Sequence, residues 1–330
     1  MQRQDLIQAI EYVKPGLSNT VSVEMSDNLI FTEDFITTFN GEVAVSHPFR
    51  TGLRAGVKAD EFIKLLKKIN SEEISLATSE DEIILEGGST EAGFKFLPGV
   101  EWPDTGIGGI KDGDWKDLPK DLPDALKFCK FSVSTDISQG LLTCLRAEKG
   151  EMISCDRYRL TLYRMKGRME ETYIPGNVVD DLIKHSPTHM TKAGEWVHFI
   201  NKFGTIFTIR PLLGEYPPVK QLFDVEGEEA ELPGKPLKEM MGRAGIMAIN
   251  NTVRIVIEPG KIICDGSNEQ GWVKETMKTD YKGRLILFNI NSKFLTEILE
   301  HSNKVIIGET ALLFNGPQFQ HVVCRSKDPE

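Results

Sequence analysis

No apolar run in this sequence approaches the roughly 20 residues that a membrane-crossing helix needs. No charged-then-apolar leader opens the chain. Both absences predict a soluble, cytoplasmic protein. Cysteines are few: Cys129, Cys144, Cys155, Cys264 and Cys324 are odd in number and never form C-x-x-C. That excludes a disulfide framework or cysteine zinc site and predicts reduced, mostly buried thiols. A basic surplus is missing too, since the net charge is −10. This balance argues against a generally basic nucleic-acid binder. It leaves open a local basic surface on an acidic body.

Catalytic constellations are also missing. His185 and His189 have the i, i+4 spacing that binds zinc on a helix, but Pro187 lies between them and the glutamate of such a motif is absent. Gly106-Ile-Gly-Gly109 has neither the strand-to-helix context nor the Lys-Ser/Thr of a phosphate loop, and reads as a linker. The other carboxylates, serines and histidines form no triad that chain order can argue. The expectation is a protein with no enzymatic activity, no metal and no cofactor.

What the chain does have is a repeat. Residues 57–69 carry Phe62, Leu65, Leu66 and Ile69 on one helical face and Lys64, Lys67 and Lys68 on the other. The apolar pattern returns at Ile174, Val179, Leu182 and Ile183, and again at Ile290, Leu295, Ile298 and Leu299. The interval is roughly 115 residues, a domain-sized period. Each unit reads as helix, strands, helix, strands. First helices are expected over residues 4–13, 124–131 and 237–247, and second helices over 57–69, 175–184 and 290–299, with Pro175 opening the middle one. Strands are expected around residues 21–25, 29–31, 35–39, 43–45, 74–77, 83–86 and 93–97 in the first unit. Runs around 141–145, 152–155, 160–163, 196–200 and 206–210 follow in the second. The third has 253–258, 261–265, 272–277, 285–288, 305–307, 311–314 and 320–324. Phe39-Asn40, Cys155-Asp156 and Cys264-Asp265 are expected at equivalent strand ends. The domains predicted are residues 1–114, 115–228 and 229–330. Off the apolar stripes, the first helices carry Arg3, Lys127, Lys130, Lys238 and Arg243, and the second carry Lys64, Lys67, Lys68, Lys184 and Lys293.

Several motifs, in order, carry a resemblance. They are Leu97-Pro-Gly-Val-Glu-Trp-Pro103, Ser154-Cys-Asp-Arg-Tyr-Arg-Leu160, Tyr173-Ile-Pro175, Glu215-Tyr-Pro217 and Arg243-Ala-Gly-Ile-Met247. Together with the three-unit layout they resemble the β sliding clamp of bacterial DNA polymerase III over essentially the whole chain. The second motif is similar to the family's T-D-G-H-R-L, with Arg157 where the family has glycine. The last is similar to the family's R-A-A-I-L. The chain ends without the family's M-P-x-R-L, a divergence that suits a phage- or plasmid-encoded clamp.

The resemblance implies an α+β fold of three repeated clamp domains, each with two helices packed on antiparallel sheets. Two chains would close head to tail into a six-domain ring around duplex DNA, tethering a replicative polymerase after opening by a clamp loader. The ten helix cations named above would then line the channel. A pocket for partner peptides is implied at Cys155, Tyr158, Arg159, Leu160, Pro217, Leu222, Val323 and Cys324. The contact between copies is expected to join Ile246 and Met247 to the edge around Phe94. Two rival readings remain: a clamp-like scaffold for repair or transcription factors, and an enzyme with a site between units.

Overall fold

The computed structural model describes residues 1–18, 25–97 and 105–326. The strand expected at 21–25 and the motif at 97–103 fall almost wholly outside these residues. In chain order the first elements are α1 (Arg3–Val13), β1 (Asn28–Thr32), β2 (Phe35–Phe39), β3 (Val43–Pro48), β4 (Arg54–Lys58) and α2 (Ala59–Lys68). Then come β5 (Ser75–Ser79), β6 (Glu82–Gly87), β7 (Thr90–Leu97) and the short β8 (Lys116–Asp117). The middle of the chain forms α3 (Leu122–Lys130), β9 (Cys144–Glu148), β10 (Glu151–Cys155), β11 (Arg159–Arg164), β12 (Thr172–Pro175), α4 (Val179–His185), β13 (His189–Ala193), β14 (Trp196–Ile200) and β15 (Ile206–Ile209). The last part forms β16 (Gly227–Glu231), α5 (Gly234–Met247), β17 (Thr252–Glu258), β18 (Lys261–Asn268), β19 (Gly271–Lys278), β20 (Ile286–Asn291), α6 (Ser292–Ile298), β21 (Lys304–Gly308), β22 (Ala311–Asn315) and β23 (Phe319–Cys324).

Two compact units result. Unit 1 is Met1–Lys120 with Asn177–Pro211, and unit 2 is Asp121–Gly176 with Leu212–Glu330. Every strand pairing in both is antiparallel. Unit 1 holds one sheet in the order β5-β6-β7-β4-β1-β2-β3-β15-β14-β13-β8. Unit 2 holds β12-β9-β10-β11-β23-β22-β21-β16 and a separate sheet, β19-β18-β17-β20.

The helices form where an apolar stripe meets a sheet. In α1, Leu6, Ala9, Ile10 and Val13 are buried, and Lys14-Pro15-Gly16 ends the helix in a 3₁₀ turn. In α2, Phe62 and Leu66 are fully buried, each contributing roughly 1.5–3 kcal/mol. The Phe62 ring packs edge-on against Phe31 at 6.0 Å and Phe94 at 5.1 Å. Asp60 and Glu61 in the first turn and Lys67 and Lys68 in the last complement the helix dipole. In unit 2 the Asn291 side chain accepts from the Lys293 amide at 3.0 Å and so caps α6.

Several expectations shift. Val57 belongs to β4, paired with Leu29, and the helix begins only at Ala59. Ile174 and Ile290 are likewise strand residues, at the ends of β12 and β20. Pro175 does not open a helix. It closes β12 opposite Cys144, a strand end that tolerates its missing N–H, and α4 starts at Val179. Leu141 and Leu142 lie in a 3₁₀ turn, Ile137–Thr143, ahead of β9. His185 closes α4 while His189 opens β13, so the pair does not share a helix face.

Asp265 is not a strand end, because β18 runs on to Asn268. The true equivalents are Asn40, Asp156 and Asn268. The side-chain oxygen of each accepts an amide from the following turn: Glu42 at 3.1 Å, Tyr158 at 3.0 Å and Gln270 at 2.9 Å.

Candidate functional site

Three features of the described residues bear on function: the helix cations, a pocket in unit 2, and two open strand edges. Most of the cations are already paired. Lys64 bridges Asp60 at 2.6 Å, and Lys67 and Lys14 share Glu11 at 2.8 and 2.7 Å. Lys184 reaches Asp181 at 3.5 Å, Lys238 pairs with Glu300, and Arg243 grips Glu275 through two bonds of 2.6 and 2.7 Å. Hydrogen bonds from these bases hold the carboxyls of Glu11, Glu275 and Glu300 below their ordinary range. Arg3 donates to the carbonyls of Leu66 and Lys67 at the end of α2. Among the described residues Lys68, Lys127 and Lys293 are exposed and make no salt bridge. A cavity of about 710 Å³ in unit 1 is lined by Lys14, Lys64 and Lys184 together with their acidic partners, so it has little net charge to offer a ligand.

The unit 2 pocket, about 350 Å³, is built where β10 turns into β11 beside β23. Its floor is apolar: Cys155, Leu160, Ala311 and Val322 are buried in one cluster with Tyr216 and Val219. Tyr158 and Leu222 stand exposed at the mouth. Burial pushes the Cys155 and Cys324 thiols up, so both stay protonated and serve as small apolar surface. Of the eight residues expected here, Cys155, Tyr158, Arg159, Leu160, Leu222 and Cys324 line the pocket. Val323 does not. Strand alternation turns Val322 and Cys324 to the pocket and Val323 to the opposite face, where it is fully buried. Pro217 is exposed, and its neighbours Tyr216 and Val219 supply the buried contacts instead. A period of two was legible in β23, but choosing its face required the register with β11.

Arg159 is a fold residue as much as a rim residue. Its guanidinium bonds Asp156 at 2.8 and 2.7 Å, pairs with Glu297 of α6, and lies 4.0 Å from the Phe294 ring centre. Burial pushes the Glu297 carboxyl up against the pull of Arg159 and Lys293. Arg157, in the place where the resemblance has glycine, adopts φ 76°, the left-handed conformation that glycine enters at least cost.

Among the free strand edges of the described residues, two bear on function, those of β7 and β19. Among the described residues β7 meets β4 only through Phe96 and Leu97, and residues 90–95 have β6 on one side and no described strand on the other. β19 pairs with β18 alone. Trp272 on this strand and Ile246 on α5 are 73% and 76% exposed, a large apolar surface for a free edge. Met247 borders the start of β19: its Cε would lie 3.1 Å from a Cβ on Gly271. Phe94 sits on β7 with its ring against Phe62.

No protein-family model matches the chain. The Beta sliding clamp of Chlamydia pneumoniae is 20% identical over 316 residues, covering 89% of this chain and 84% of that protein. Solved structures with the same fold include the DNA polymerase III subunit beta of Pseudomonas aeruginosa, at TM-score 0.85, 14% identity and 99% coverage of both chains. The beta chain from Streptococcus pneumoniae gives 0.87 at 18% identity, covering 99% of this chain and 98% of that one. The sliding clamp from Bacillus subtilis gives 0.84 at 18% identity, covering 100% and 98%. The chain therefore has the DNA clamp fold along nearly its whole length, and its curated relative of that name is similar to it over most of both sequences.

Proposed function

We propose that this chain is a non-enzymatic sliding clamp. Two copies close head to tail around duplex DNA, a clamp loader opens the ring, and the ring tethers a replicative polymerase for processive synthesis in the cytoplasm. The division into clamp domains 1–114, 115–228 and 229–330 is part of this reading. So is the pocket in unit 2 as the docking site for a partner peptide. Phosphate contacts from the helix cations, led by Lys68, Lys127 and Lys293, hold DNA without reading bases, which permits sliding.

The observation that carries the ring is a junction the chain makes twice and leaves open once. β3 pairs with β15, and β11 pairs with β23, in the same register. Val43 and Arg159, the first residues of β3 and β11, face Ile209 and Val323. One hydrogen bond follows each, Arg210 N to Glu42 O at 2.9 Å and Cys324 N to Tyr158 O at 2.8 Å. Gly271 opens β19 as Val43 and Arg159 open theirs. Phe94 faces Ile83 as Ile209 faces Val197 and Val323 faces Leu312. A third junction in this register joins β7 of one copy to β19 of another. Phe94 then faces Gly271, Gly93 faces Trp272, Ala92 faces Val273, and Glu91 faces Lys274. An exposed indole meets a residue without a side chain, and a carboxylate meets an ammonium. Met247 comes beside Phe94, and both open edges are closed.

The test is topological. The loaded protein is expected to stay on nicked circular duplex and to leave the linearised form by its ends. Equal retention on both would refute encirclement and favour the scaffold reading.

A further inference from the structure

We propose that the unit 2 pocket selects a peptide carrying lysine or arginine beside its apolar anchors. This rests on the pocket being the docking site for a partner peptide. The apolar floor sets the anchors, as in any such groove. The rim sets the charge, and here it is lopsided. Asp224, Glu226 and Glu309 are among the residues lining the pocket, all exposed. Among the described residues none of these carboxylates makes a salt bridge or a side-chain hydrogen bond.

The cations nearby cancel them only in part. Arg159 is bonded to two carboxylates of its own, Asp156 and Glu297. Arg325 is the cation that Glu309 feels. Its guanidinium is held by the backbone carbonyls of Gly308, Glu309 and Leu287, and it is not among the residues lining the pocket. Arg157 lines the pocket, makes no salt bridge among the described residues, and offsets one of the three carboxylates. Three carboxylates left open around one apolar pocket complement a cationic flank, and they repel an acidic one.

The experiment compares two fluorescein-labelled synthetic peptides with the same leucine and phenylalanine anchors. One is flanked on both sides by lysines, the other by glutamates. Binding to the full chain is followed by anisotropy at low and high salt. The variants are Asp224→Asn/Glu226→Gln/Glu309→Gln, all surface changes, and Leu222→Asp at the exposed mouth. The lysine peptide is expected to bind about tenfold tighter at low salt, with the gap closing in the triple variant and at high salt. A gap that persists in the triple variant would mean general attraction to an acidic protein, and would overturn the proposal. Equal binding of both peptides, lost in Leu222→Asp, would also overturn it while leaving the pocket as a docking site. Binding of neither peptide would overturn the docking reading and this inference with it.

Discussion

Replacing Trp272 with alanine tests the ring where the protomer has least to lose. The indole is 73% exposed on an open strand, so its removal should change protomer stability by less than about 0.5 kcal/mol. In the proposed ring it would lie over Gly93 of the next copy. A buried tryptophan removes about 150–250 Å² from water, worth roughly 4 kcal/mol at the usual coefficient. Association costs and imperfect burial reduce this, so about 2 kcal/mol per contact is the working figure. A head-to-tail ring of two has two such contacts, giving about 4 kcal/mol and a dimer dissociation constant about a thousandfold weaker. Sedimentation velocity from nanomolar to micromolar protein reads this directly, with circular dichroism confirming a folded monomer. Gly93→Leu attacks the same spot from the other strand, since it fills the place the indole takes. The new Cβ would meet the Glu82 carboxylate oxygen at 2.6 Å, the mobile end of a side chain that can swing aside. If both variants kept the wild-type dimer at every concentration, the proposed register would be wrong.

Other outcomes follow from the same geometry. Leu222→Asp should abolish stimulation of the cognate polymerase while the ring mass stays unchanged; normal stimulation would move the docking site elsewhere. Lys68→Glu, Lys127→Glu and Lys293→Glu together should shorten retention on nicked circles and flatten its salt dependence, because these changes break no salt bridge; unchanged retention would remove them from the DNA contact. Arg157→Gly should stabilise the chain by about 0.5–1 kcal/mol in urea melts by relieving its left-handed φ, and a loss of stability would show that the arginine side chain matters more than the strain. His185 and His198 are buried neutral, each pushed down to about 4 by burial. The unfolded chain binds more protons than the folded one between that value and about 6.5. Stability is therefore held above about pH 6.5 and falls below it, by up to about 1.4 kcal/mol per pH unit for each histidine. Urea melts at pH 8 and pH 5 check this, and a flat profile would contradict the burial.

The helices were legible because they are written in apolar stripes, and α1, α2, α3 and α5 lie within a few residues of their expected places. Strands with two buried faces or none were harder to see. β4, with its central Ala55, Gly56 and Val57 all buried, was absorbed into the helix that follows it. β16, Gly-Glu-Glu-Ala-Glu, looks like an acidic connector and is a strand only because β21 offers it an edge. Six of the eight residues that the resemblance named for a peptide pocket line one cavity. The placement of the other two, Val323 and Pro217, depends on which face of a strand and which side of a turn meet the cavity. A linear pattern does not fix those choices until its neighbours are in place.

Charge was the least legible property. A list of helix cations suggests a basic lining, yet Lys64, Lys67, Lys184, Lys238 and Arg243 each have a carboxylate within bonding distance. Exposed pairs of this kind are worth at most about 1 kcal/mol and exchange readily for a phosphate. In the proposed ring they would therefore not bar DNA from the channel, but they would lower what each contact gains. With acids so placed, the proposed function requires a weak grip on DNA and residence that comes from the closed ring. Encirclement makes that sufficient, because a ring needs to break its own contacts, not those with DNA, before it can leave a circle. The Trp272 contact and the salt-bridged helices are thus parts of one argument. The tighter the β7–β19 junction holds, the less the lining must bind, and the more freely the ring can move along the duplex.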